Sequence, residues 1–446
     1  MSWGIEELIA GPFGSITEAN AWAAANTGAL FVGLLCTISG VQYTWQGAGW
    51  VQTQIRKIST YAATRGFKKL SVMASPPTVS VTTPSPWYNP VPISGGIGWY
   101  ADPTISVGDG SGIWLKAYDW GSGIPAGAPN LWINTNTTPF RYENYLGAHM
   151  VVPPNNTGAQ QISTISLIHY GTSISFCVSG YPFSQILVRV DGEYASLTPS
   201  AMSNNYNPTW LNLVFGSAGA RKIEIEGQIS LLAVVIGATD SAMPSDYNGP
   251  SLYILGDSYF DGALGVVTQQ TMVHRMKRYL GINHVTTDAI GGTGLVKSNG
   301  ASANYMTRVQ SILPQQKAIK YASFLVSGSI NDSAYDAPTI TSAALAFIDY
   351  CRSHSPNCEI IVPCFASACP TPSAQTVVLS GWKAAAAQRP LVYPIDLQGV
   401  LSGSGYSTGL AGKGNSDIIR GSDGAHYTDA GHEIFSRILA DVVMRI

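Results

Sequence analysis

The sequence predicts an α/β protein in which a doubly wound, five-stranded parallel sheet follows a β-sandwich or jelly-roll domain and a small N-terminal module. Three observations predict this order. Strand and helix patterns alternate over residues 248–446, short strand patterns follow one another over residues 81–247, and residues 1–80 carry one short helix pattern and one hairpin pattern. Alternation is typical of parallel sheets, and serial short strands are typical of sandwiches. We therefore expect three domains with these boundaries within the 446 residues.

Residues 1–80 contain the smallest predicted elements. The stretch ITEANAWAAANTG predicts a short helix, and ALFVGLLCTISGVQYTWQGAGWVQT predicts a hairpin, because two apolar runs flank a glycine-containing turn. Elements of this size are not stable alone in water. We expect this module to serve in assembly or attachment, as a trimer, through apolar residues that include Phe31, Leu34, Leu35, Tyr43, Trp45 and Trp50.

Residues 81–247 predict an all-β domain. Apolar and polar residues alternate in ILVRVDG and RKIEIEG, and Asp191-Gly192 is typical of a hairpin turn. Further strands are expected in QQISTISLIHY, SISFCVSG, WLNLVFGS and RKIEIEGQISLLAVVIGA, and TDSAMPSDYNGPS predicts a linker. Two roles stay open for the tryptophans of this domain, packing in the core or turns and stacking on sugar rings; the residues concerned are Trp99, Trp114, Trp120 and Trp132.

Residues 248–446 alternate between strand and helix patterns. The five predicted strands, in chain order, are SLYILG, HVTTDAIGG, YASFLVSGS, EIIVPCFA and LVYPIDL. The predicted helices are VVTQQTMVHRMKRYLG, NYMTRVQSILP, PTITSAALAFIDYCRSH, AQTVVLSGWKAAAAQR and DAGHEIFSRILADVVMRI. In sheets of this kind, binding and catalytic groups lie at the carboxyl ends of the strands, and a site is expected there.

Composition and charge argue against several classes of function. The net charge is −2 and 11% of residues are charged, against about 25% in an average domain, so neither nucleic acid nor an anionic membrane is an expected partner. The six cysteines form no C-x-x-C pair and no zinc spacing, and no metal or other cofactor is expected. We find no secretory-signal pattern and no uncharged apolar run of about 18 residues, which favours synthesis in the cytoplasm.

Polar groups suited to acyl transfer follow the predicted strands. The first strand ends in Gly256-Asp257-Ser258, the second in Gly291-Gly292-Thr293-Gly294 and the third in Gly328-Ser329-Ile330-Asn331-Asp332, while Asp423-Gly424-Ala425-His426 precedes the last helix. A serine hydroxyl needs a base that takes its proton during attack. We expect Ser258 to be the nucleophile, and the last segment to supply a histidine base with its aspartate.

The same segments supply the other parts of an acyl-transfer site. His426 can act as the base if Asp423, three residues earlier, holds its Nδ1–H and stabilises the imidazolium. An oxyanion needs preorganised donors. The Ser258 N–H, the Gly292 N–H and the Asn331 amide are predicted to supply three, with Gly291 as the alternative to Gly292.

Ordinary structural roles compete with this interpretation. Ser258 can be a helix N-cap, and Asn331 can cap a turn. His432 lies in the last helix and is predicted to be structural, and Asp261 and Asp332 are predicted to be hydrogen-bonding scaffold. No role is assigned to the remaining histidines, His149, His169, His274, His284 and His354.

The four segments resemble the conserved blocks of the SGNH (GDSL) hydrolases. Those blocks are a G-D-S motif, a glycine after the second strand, a G-x-N-D motif and a D-x-x-H motif, and this chain matches them in order over residues 251–446. The third block departs from the pattern, because Gly328 stands one residue further from Asn331. The resemblance implies a flavodoxin-like sheet and Ser-His-Asp hydrolysis of a carboxylic ester without a cofactor.

The other two domains resemble known modules less specifically. A jelly roll directly before an SGNH domain is similar to the arrangement in carbohydrate esterase family 2, and WAAANTGALFVGLLCTISGVQYTWQGAGWV resembles segments of bacteriophage tail fibres and tailspikes. These resemblances imply an esterase that removes O-acetyl groups from a bacterial surface polysaccharide. They also imply a trimeric virion component, made in the host cytoplasm, with other phage tail proteins as partners. A short-chain lipase or thioesterase, and a non-catalytic carbohydrate-binding adhesin, are the alternatives.

Overall fold

The structure, a computed structural model, describes most of the chain beyond residue 162 and shorter segments before it. The described residues are 9–13, 15–25, 35–38, 41–45, 50–52, 72–82, 97–100, 112–119, 131–135, 141–145, 148–152, 163–180, 185–201, 208–227, 229–237, 239–244, 250–263, 266, 270–282, 284–315, 320–365, 373–401 and 416–446. Their strands form three sheets of four, thirteen and five strands, which follow one another along the chain.

The four-stranded sheet lies nearest the N-terminus. Its elements are β1 (Ile9–Phe13), α1 (Ile16–Ala25), β2 (Leu35–Ile38), β3 (Val41–Trp45) and β4 (Trp50–Gln52). β1 pairs with β2 in parallel, and β2, β3 and β4 pair antiparallel in sequence, so the predicted helix and hairpin are present. The sequence pattern does not predict β1, because glycine and proline in IAGPF are more typical of turns. The apolar side chains expected to mediate assembly lie outside the described part of the structure.

The thirteen-stranded sheet forms the β domain. Its strands are β5 (Thr78–Thr82), β6 (Ile97–Tyr100), β7 (Gly112–Asp119), β8 (Leu131–Thr135), β9 (Arg141–Tyr145), β10 (Ala148–Val152), β11 (Ser163–Gly180), β12 (Gln185–Val190), β13 (Glu193–Tyr194), β14 (Ser200–Ala201), β15 (Pro208–Gly227), β16 (Ile229–Ile236) and β17 (Ser241–Pro244). The main path is β13-β12-β15-β11-β8-β7-β6-β16-β10-β9, with β5, β14 and β17 beside it. β11, β12, β15 and β16 supply its buried apolar core. The side chains of the four tryptophans considered above lie outside the described part of the structure.

Two long strands run through the β domain. β11 pairs with β15 along most of its length, with β17 and β8 in its first half and with β16 in its second half. The sequence pattern predicts two strands here, QQISTISLIHY and SISFCVSG, and this prediction is wrong. The register shifts between Gly171 and Ser173, where residues 215–218 of β15 face Thr172 of β11. The bulge therefore lies in β15, and β11 continues through its glycine without a turn. β15 likewise joins WLNLVFGS to the first part of the predicted strand RKIEIEGQISLLAVVIGA. The second part of that run forms β16, so this prediction is also wrong.

Smaller features of the β domain test the local predictions. Asp191 and Gly192 have φ angles of 52° and 86° and connect β12 to β13, which confirms the predicted hairpin turn. β5 pairs with β15, so residues 78–80 belong to this sheet rather than to the N-terminal module. β17 occupies part of the predicted linker and pairs with β11.

The five-stranded sheet is parallel and forms the α/β domain. Its strands are β18 (Ser251–Gly256), β19 (His284–Ala289), β20 (Ser323–Val326), β21 (Glu359–Phe365) and β22 (Val392–Leu397). The α-helices are α2 (Ser258–Asp261), α3 (Met272–Leu280), α4 (Tyr305–Ile312), α5 (Ala337–His354), α6 (Ser373–Ala386), α7 (Ser416–Ile419) and α8 (Asp429–Arg445), and the 3₁₀ helices are Leu313–Gln315, Ile330–Asp332 and Gln398–Val400. The order β19-β18-β20-β21-β22 confirms the predicted doubly wound sheet.

Helices cover both faces of the parallel sheet. Leu252 and Ile254 of β18 join one core with α3 and α8, whereas Tyr253 and Leu255 join a second core with α4, α5 and α6. Because successive side chains of a strand point to opposite faces, burial on both faces explains the continuous apolar run SLYILG. In the described part of the chain, no helix is both long and apolar enough to span a membrane.

The β domain and the α/β domain meet through buried charges. The Glu226 carboxylate, on β15, accepts from Lys277 Nζ at 2.5 Å and from Arg278 Nη1 at 3.3 Å, both on α3. The three side chains are 1–5% exposed. Burial alone would raise the pKa of Glu226, but Lys277 and Arg278 lower it to about 2. The carboxylate is therefore ionised at the domain contact.

Candidate active site

Ser258 is the first residue of the one-turn helix α2, directly beyond the end of β18. Asp257 caps this helix, since its Oδ1 accepts the Tyr259 N–H at 3.1 Å. Gly256 has to be glycine, because a Cβ atom there would lie 2.3 Å from the Phe260 ring. Helix capping thus belongs to Asp257 and does not explain the serine. Ser258 is half-buried at the carboxyl edge of the sheet, with its N–H at the open start of the helix.

Asp423 and His426 lie in a loop between α7 and α8. Asp423 Oδ2 lies 2.6 Å from His426 Nδ1, and its Oδ1 accepts the backbone N–H groups of Ala425 and His426 at 2.9 and 3.0 Å. Although partial burial raises it, these donors lower the pKa of Asp423. An ionised carboxylate carries no proton, so His426 Nδ1 donates. The imidazole is then held in the tautomer whose Nε2 can accept a proton.

Tyr259 joins the nucleophile turn to this loop. Its ring centroid lies 5.9 Å from that of His426, and its hydroxyl donates to the Ala425 carbonyl at 3.3 Å. The residue that follows Ser258 therefore packs against the loop that carries the histidine. Among the described residues, no hydrogen bond joins the Ser258 hydroxyl to the His426 ring. Such bonds often tighten only when a substrate is bound.

The turn after β19 carries Gly291 and Gly292, and Gly291 lies beside Ser258. A Cβ atom on Gly291 would lie 3.6 Å from Ser258 Cβ and 3.1 Å from the Asp261 carboxylate. The Gly291 N–H opposes the rise in the pKa of Asp261 that burial causes. Gly292 has a φ angle of 76°, and its N–H has no acceptor within the residues that the structure describes. Gly292 is therefore a candidate donor to an oxyanion.

The Asn331 amide reaches the same turn from the loop after β20. Its Nδ2 lies 2.9 Å from the Thr293 carbonyl oxygen and 3.0 Å from Ser329 Oγ, and these two oxygens are 2.9 Å apart. These contacts hold the Asn331 amide against the glycine turn beside Ser258.

Gly328 and Asp332 anchor the loop after β20 to neighbouring segments. The Gly328 N–H donates to the Pro363 carbonyl at 2.9 Å, and a Cβ atom would lie 2.4 Å from Cys364 Sγ. The close approach of β21 therefore requires a glycine at Gly328, whatever its spacing from the asparagine. Asp332 has the predicted scaffold role, because its carboxylate accepts three N–H groups at 2.6–3.0 Å, those of Leu295, Val296 and Lys297.

The other described histidines make structural contacts. His432 Nδ1 accepts the Met272 N–H at 3.2 Å, and burial, with the charges of Arg275 and His426, lowers the pKa of His432 to about 3. His432 is therefore neutral and fixed inside the fold. Three further histidines each contact one polar partner: His169 with Asp240, His274 with Thr287, and His354 with Ser355. The side chains of His149 and His284 lie outside the described part of the structure.

Sequence reasoning missed Arg308 and Thr293, which contact three of the site segments. Arg308 lies on the buried face of α4 together with Tyr305, Val309 and Ile312. The sequence pattern does indicate Arg308. These residues lie at spacings of one, three and four, which place them on one helix face, and Arg308 is the charged residue among apolar ones.

Comparison with known proteins gives only structural likenesses. No family model and no curated protein sequence matches the chain. A family two carbohydrate esterase from Clostridium thermocellum, in complex with cellohexaose, superposes with a TM-score of 0.49 at 16% identity, over 70% of this chain and 98% of that chain. An acetyl xylan esterase from Butyrivibrio proteoclasticus superposes with a TM-score of 0.45 at 11% identity, over 64% of this chain and 90% of that chain. A salicylyl-acyltransferase from a tetracycline biosynthetic pathway superposes with a TM-score of 0.48 at 14% identity, over 63% of this chain and 82% of that chain.

These likenesses are too distant to identify a family. All three TM-scores lie below 0.5, and all three identities lie below 25%. The fold therefore rests on the sheet order of the structure itself. The chemistry rests on the contacts that surround Ser258, Asp423 and His426.

Proposed function

We propose that the protein is a serine esterase that removes O-acetyl groups from a bacterial surface polysaccharide. One observation carries the proposed chemistry: an ionised Asp423 lies 2.6 Å from His426 Nδ1, in a loop that packs against the nucleophile turn through Tyr259. A nucleophile, a base and an orienting acid thus occupy one edge of the sheet. N–H donors without an acceptor among the described residues lie on the loops beside them.

In the first half of the proposed reaction, the Ser258 oxygen attacks the ester carbonyl carbon while His426 Nε2 takes the hydroxyl proton. The carbonyl electron pair moves to oxygen, and the Ser258 and Gly292 N–H groups with the Asn331 amide stabilise that oxyanion. The pair then returns, the bond from the carbonyl carbon to the sugar oxygen breaks, and the sugar oxygen takes the proton from His426. Acetyl-Ser258 and a free sugar hydroxyl result.

In the second half, water replaces the sugar. The water oxygen attacks the acetyl carbonyl carbon while His426 Nε2 takes one proton from the water. The same N–H donors stabilise the second oxyanion. The bond to Ser258 breaks, and its oxygen recovers the proton from the imidazolium. Asp423 stabilises the imidazolium in both halves without taking its proton. Acetate leaves, and the enzyme returns to its starting state.

The proposed substrate is supported by the chemistry of the strand ends. The segments that follow β18, β19 and β20 are rich in Gly, Ser, Thr, Asn and Asp, and such groups suit a hydroxyl-rich ligand better than a fatty chain. The low charge of the whole chain, 11%, agrees with a neutral or weakly charged glycan as partner. The sequence resemblance to esterases with a preceding jelly roll favours the same substrate class.

The proposed setting is a bacteriophage tail, with the protein made in the host cytoplasm and incorporated into the virion. What supports it is the resemblance of residues 1–80 to tail-fibre and tailspike segments. In this setting the N-terminal sheet serves in trimer assembly and in attachment to other tail proteins. The catalytic proposal stands independently of this setting, because it depends only on residues of the α/β domain.

An acyl-length series tests the catalytic proposal. The full chain is given p-nitrophenyl esters from acetyl to octanoyl, and acetate release is measured from acetylated capsular and O-antigen polysaccharides. Ser258→Ala is the inactive variant, and Ser353→Ala, which changes an exposed serine of α5, is its matched control. We expect acetyl to be preferred and acetate to be released by the wild type and the control.

The other results separate the alternatives. Preference for octanoyl without acetate release from any glycan would favour a lipase or thioesterase. Glycan binding without hydrolysis of any ester would favour a carbohydrate-binding adhesin. Equal turnover by the wild type and Ser258→Ala would show that the ester is cleaved by another group.

A further inference from the structure

A buried guanidinium lies beneath the carboxyl ends of β18 and β19. Arg308 Nη2 donates to the Gly256 carbonyl at 3.1 Å and to the Asp288 carbonyl at 2.9 Å, and its Nε lies 3.4 Å from Asp288 Oδ2. The side chain is 5% exposed. One cation thus joins the end of the strand that leads to Ser258 and the end of the strand that leads to the glycine turn.

A further contact of Arg308 reaches into the glycine turn. Its Nη1 donates to Thr293 Oγ1 at 3.1 Å, and that hydroxyl donates to the Ile290 carbonyl at 2.7 Å. Ile290 and Thr293 flank the two glycines. The Thr293 carbonyl in turn accepts Asn331 Nδ2 at 2.9 Å. Thr293 therefore connects Arg308 to both the glycine turn and the asparagine.

We propose that Arg308 is a positioning residue for the oxyanion hole. Acting through Thr293 and the ends of two strands, it sets the relative places of the Ser258 N–H, the Gly292 N–H and the Asn331 amide, and it does not touch the substrate. The proposal deepens the esterase function proposed above and rests on it.

The physical reason is that the three donors lie on three separate loops. An oxyanion is stabilised only by donors about 2.7–3.1 Å from its oxygen, and a misplacement of about 1 Å can cost about 100-fold in rate. The planar guanidinium of Arg308 presents several N–H groups in a rigid fork, so it can hold several acceptors in one geometry. A lysine at Arg308 keeps the charge but loses the fork.

The β domain offers a matched control for a purely structural role. Arg221 Nη1 donates to the Gly171 and Gly219 carbonyls at 3.0 Å each, and its Nη2 donates to the Ser217 carbonyl at 2.8 Å. The guanidinium of Arg221 lies 4.3 Å from the centroid of the Phe215 ring. The guanidinium of Arg308 similarly lies 5.1 Å from the centroid of the Tyr305 ring. Arg221 thus makes the same kind of carbonyl contacts away from the site, with a side chain that is half-buried where that of Arg308 is buried.

The test compares Arg308→Lys, Thr293→Val, Thr293→Ser and Arg221→Lys with the wild type. For each variant, kcat and KM are measured on p-nitrophenyl acetate, and Tm is measured by thermal unfolding. We expect Arg308→Lys and Thr293→Val to lower kcat about 10- to 100-fold, with KM within about threefold, because donors are misplaced in the transition state. Thr293→Ser restores the hydroxyl and should restore kcat. Arg221→Lys should lower Tm and leave kcat unchanged.

The outcomes separate this inference from the proposed function. If Arg308→Lys and Thr293→Val keep the wild-type kcat while their Tm falls as in Arg221→Lys, Arg308 is structural and the inference is overturned. If Arg308→Lys does not fold, the contrast between Thr293→Val and Thr293→Ser decides. If the wild type is active and Ser258→Ala is not, the esterase function stands whatever these variants show. A wild type that cleaves no ester overturns both.

Discussion

Replacing Lys277 by methionine should lower the unfolding free energy of the protein by about 3–5 kcal/mol. The lysine side chain is 1% exposed, and its Nζ lies 2.5 Å from the Glu226 carboxylate, which is 2% exposed. The substitution removes the cation and leaves Arg278, at 3.3 Å, as the remaining salt-bridge partner of Glu226 among the described residues. Glu226 is then compensated only in part, because Arg278 lies farther from it than Lys277 does and water does not reach the buried carboxylate, so a loss in the range of a broken buried pair is expected. The substitution therefore weakens the contact between the β domain and the α/β domain.

Urea unfolding followed by tryptophan fluorescence measures this loss, because Trp210 of β15 and Trp382 of α6 are buried in the two domains. The double variant Glu226→Gln, Lys277→Met should lose less than Lys277→Met alone, since the carboxylate is removed together with its cation. Arg389→Gln breaks an exposed ion pair and should leave the midpoint unchanged. A loss below about 1 kcal/mol for Lys277→Met, as for exposed pairs, would refute the reasoning.

Three further predictions concern the site and one concerns assembly. Ser258→Ala should abolish hydrolysis of p-nitrophenyl acetate without lowering Tm, because only a half-buried hydroxyl is removed. His426→Ala should lower kcat more than Asp423→Ala, because the acid only orients and stabilises the base; wild-type turnover in His426→Ala would contradict the triad. Burial, with Asp257, raises the pKa of Asp261 to about 6, above about 3.9 in an unfolded chain. At this group the folded state binds the proton first, so Asp261 contributes more to the unfolding free energy as the pH falls from about 7 to 4. Measured by urea unfolding, the wild type should therefore gain stability relative to Asp261→Asn over that range, and an unchanged difference would contradict the raised pKa. Light scattering should show a trimer, and a monomer at micromolar concentration would exclude the assembly role.

The features that depend on short stretches could be predicted from the sequence. SLYILG is apolar at every position but its ends, and β18 is buried along its whole length. Asp191-Gly192 predicts a hairpin turn because both residues tolerate the positive φ that the turn needs. The G-D-S motif predicts the turn after β18 that carries Ser258, and the D-x-x-H motif predicts the contact of Asp423 with His426, because each motif lies within one short turn or loop.

The features that depend on distant residues could not be predicted. A glycine between two β runs is equally typical of a turn and of a bulge, so β11 is predicted as two strands. Lys277 lies on an amphipathic helix, and no local pattern distinguishes it from an exposed lysine; its burial follows from Glu226 in another domain. The surroundings of Gly291 and Gly292 also depend on distant residues, since the Asp261 carboxylate lies beside Gly291.

The loop that carries Asp423 and His426 is closed on itself. Arg420 forms an isolated β-bridge with Tyr427 across its base and donates to the Gly424 carbonyl inside it. In the proposed mechanism, the acid and the base therefore lie on one closed loop, whereas the serine follows β18 near the start of the domain. A change in packing elsewhere in the domain can then move this loop relative to Ser258 without separating Asp423 from His426.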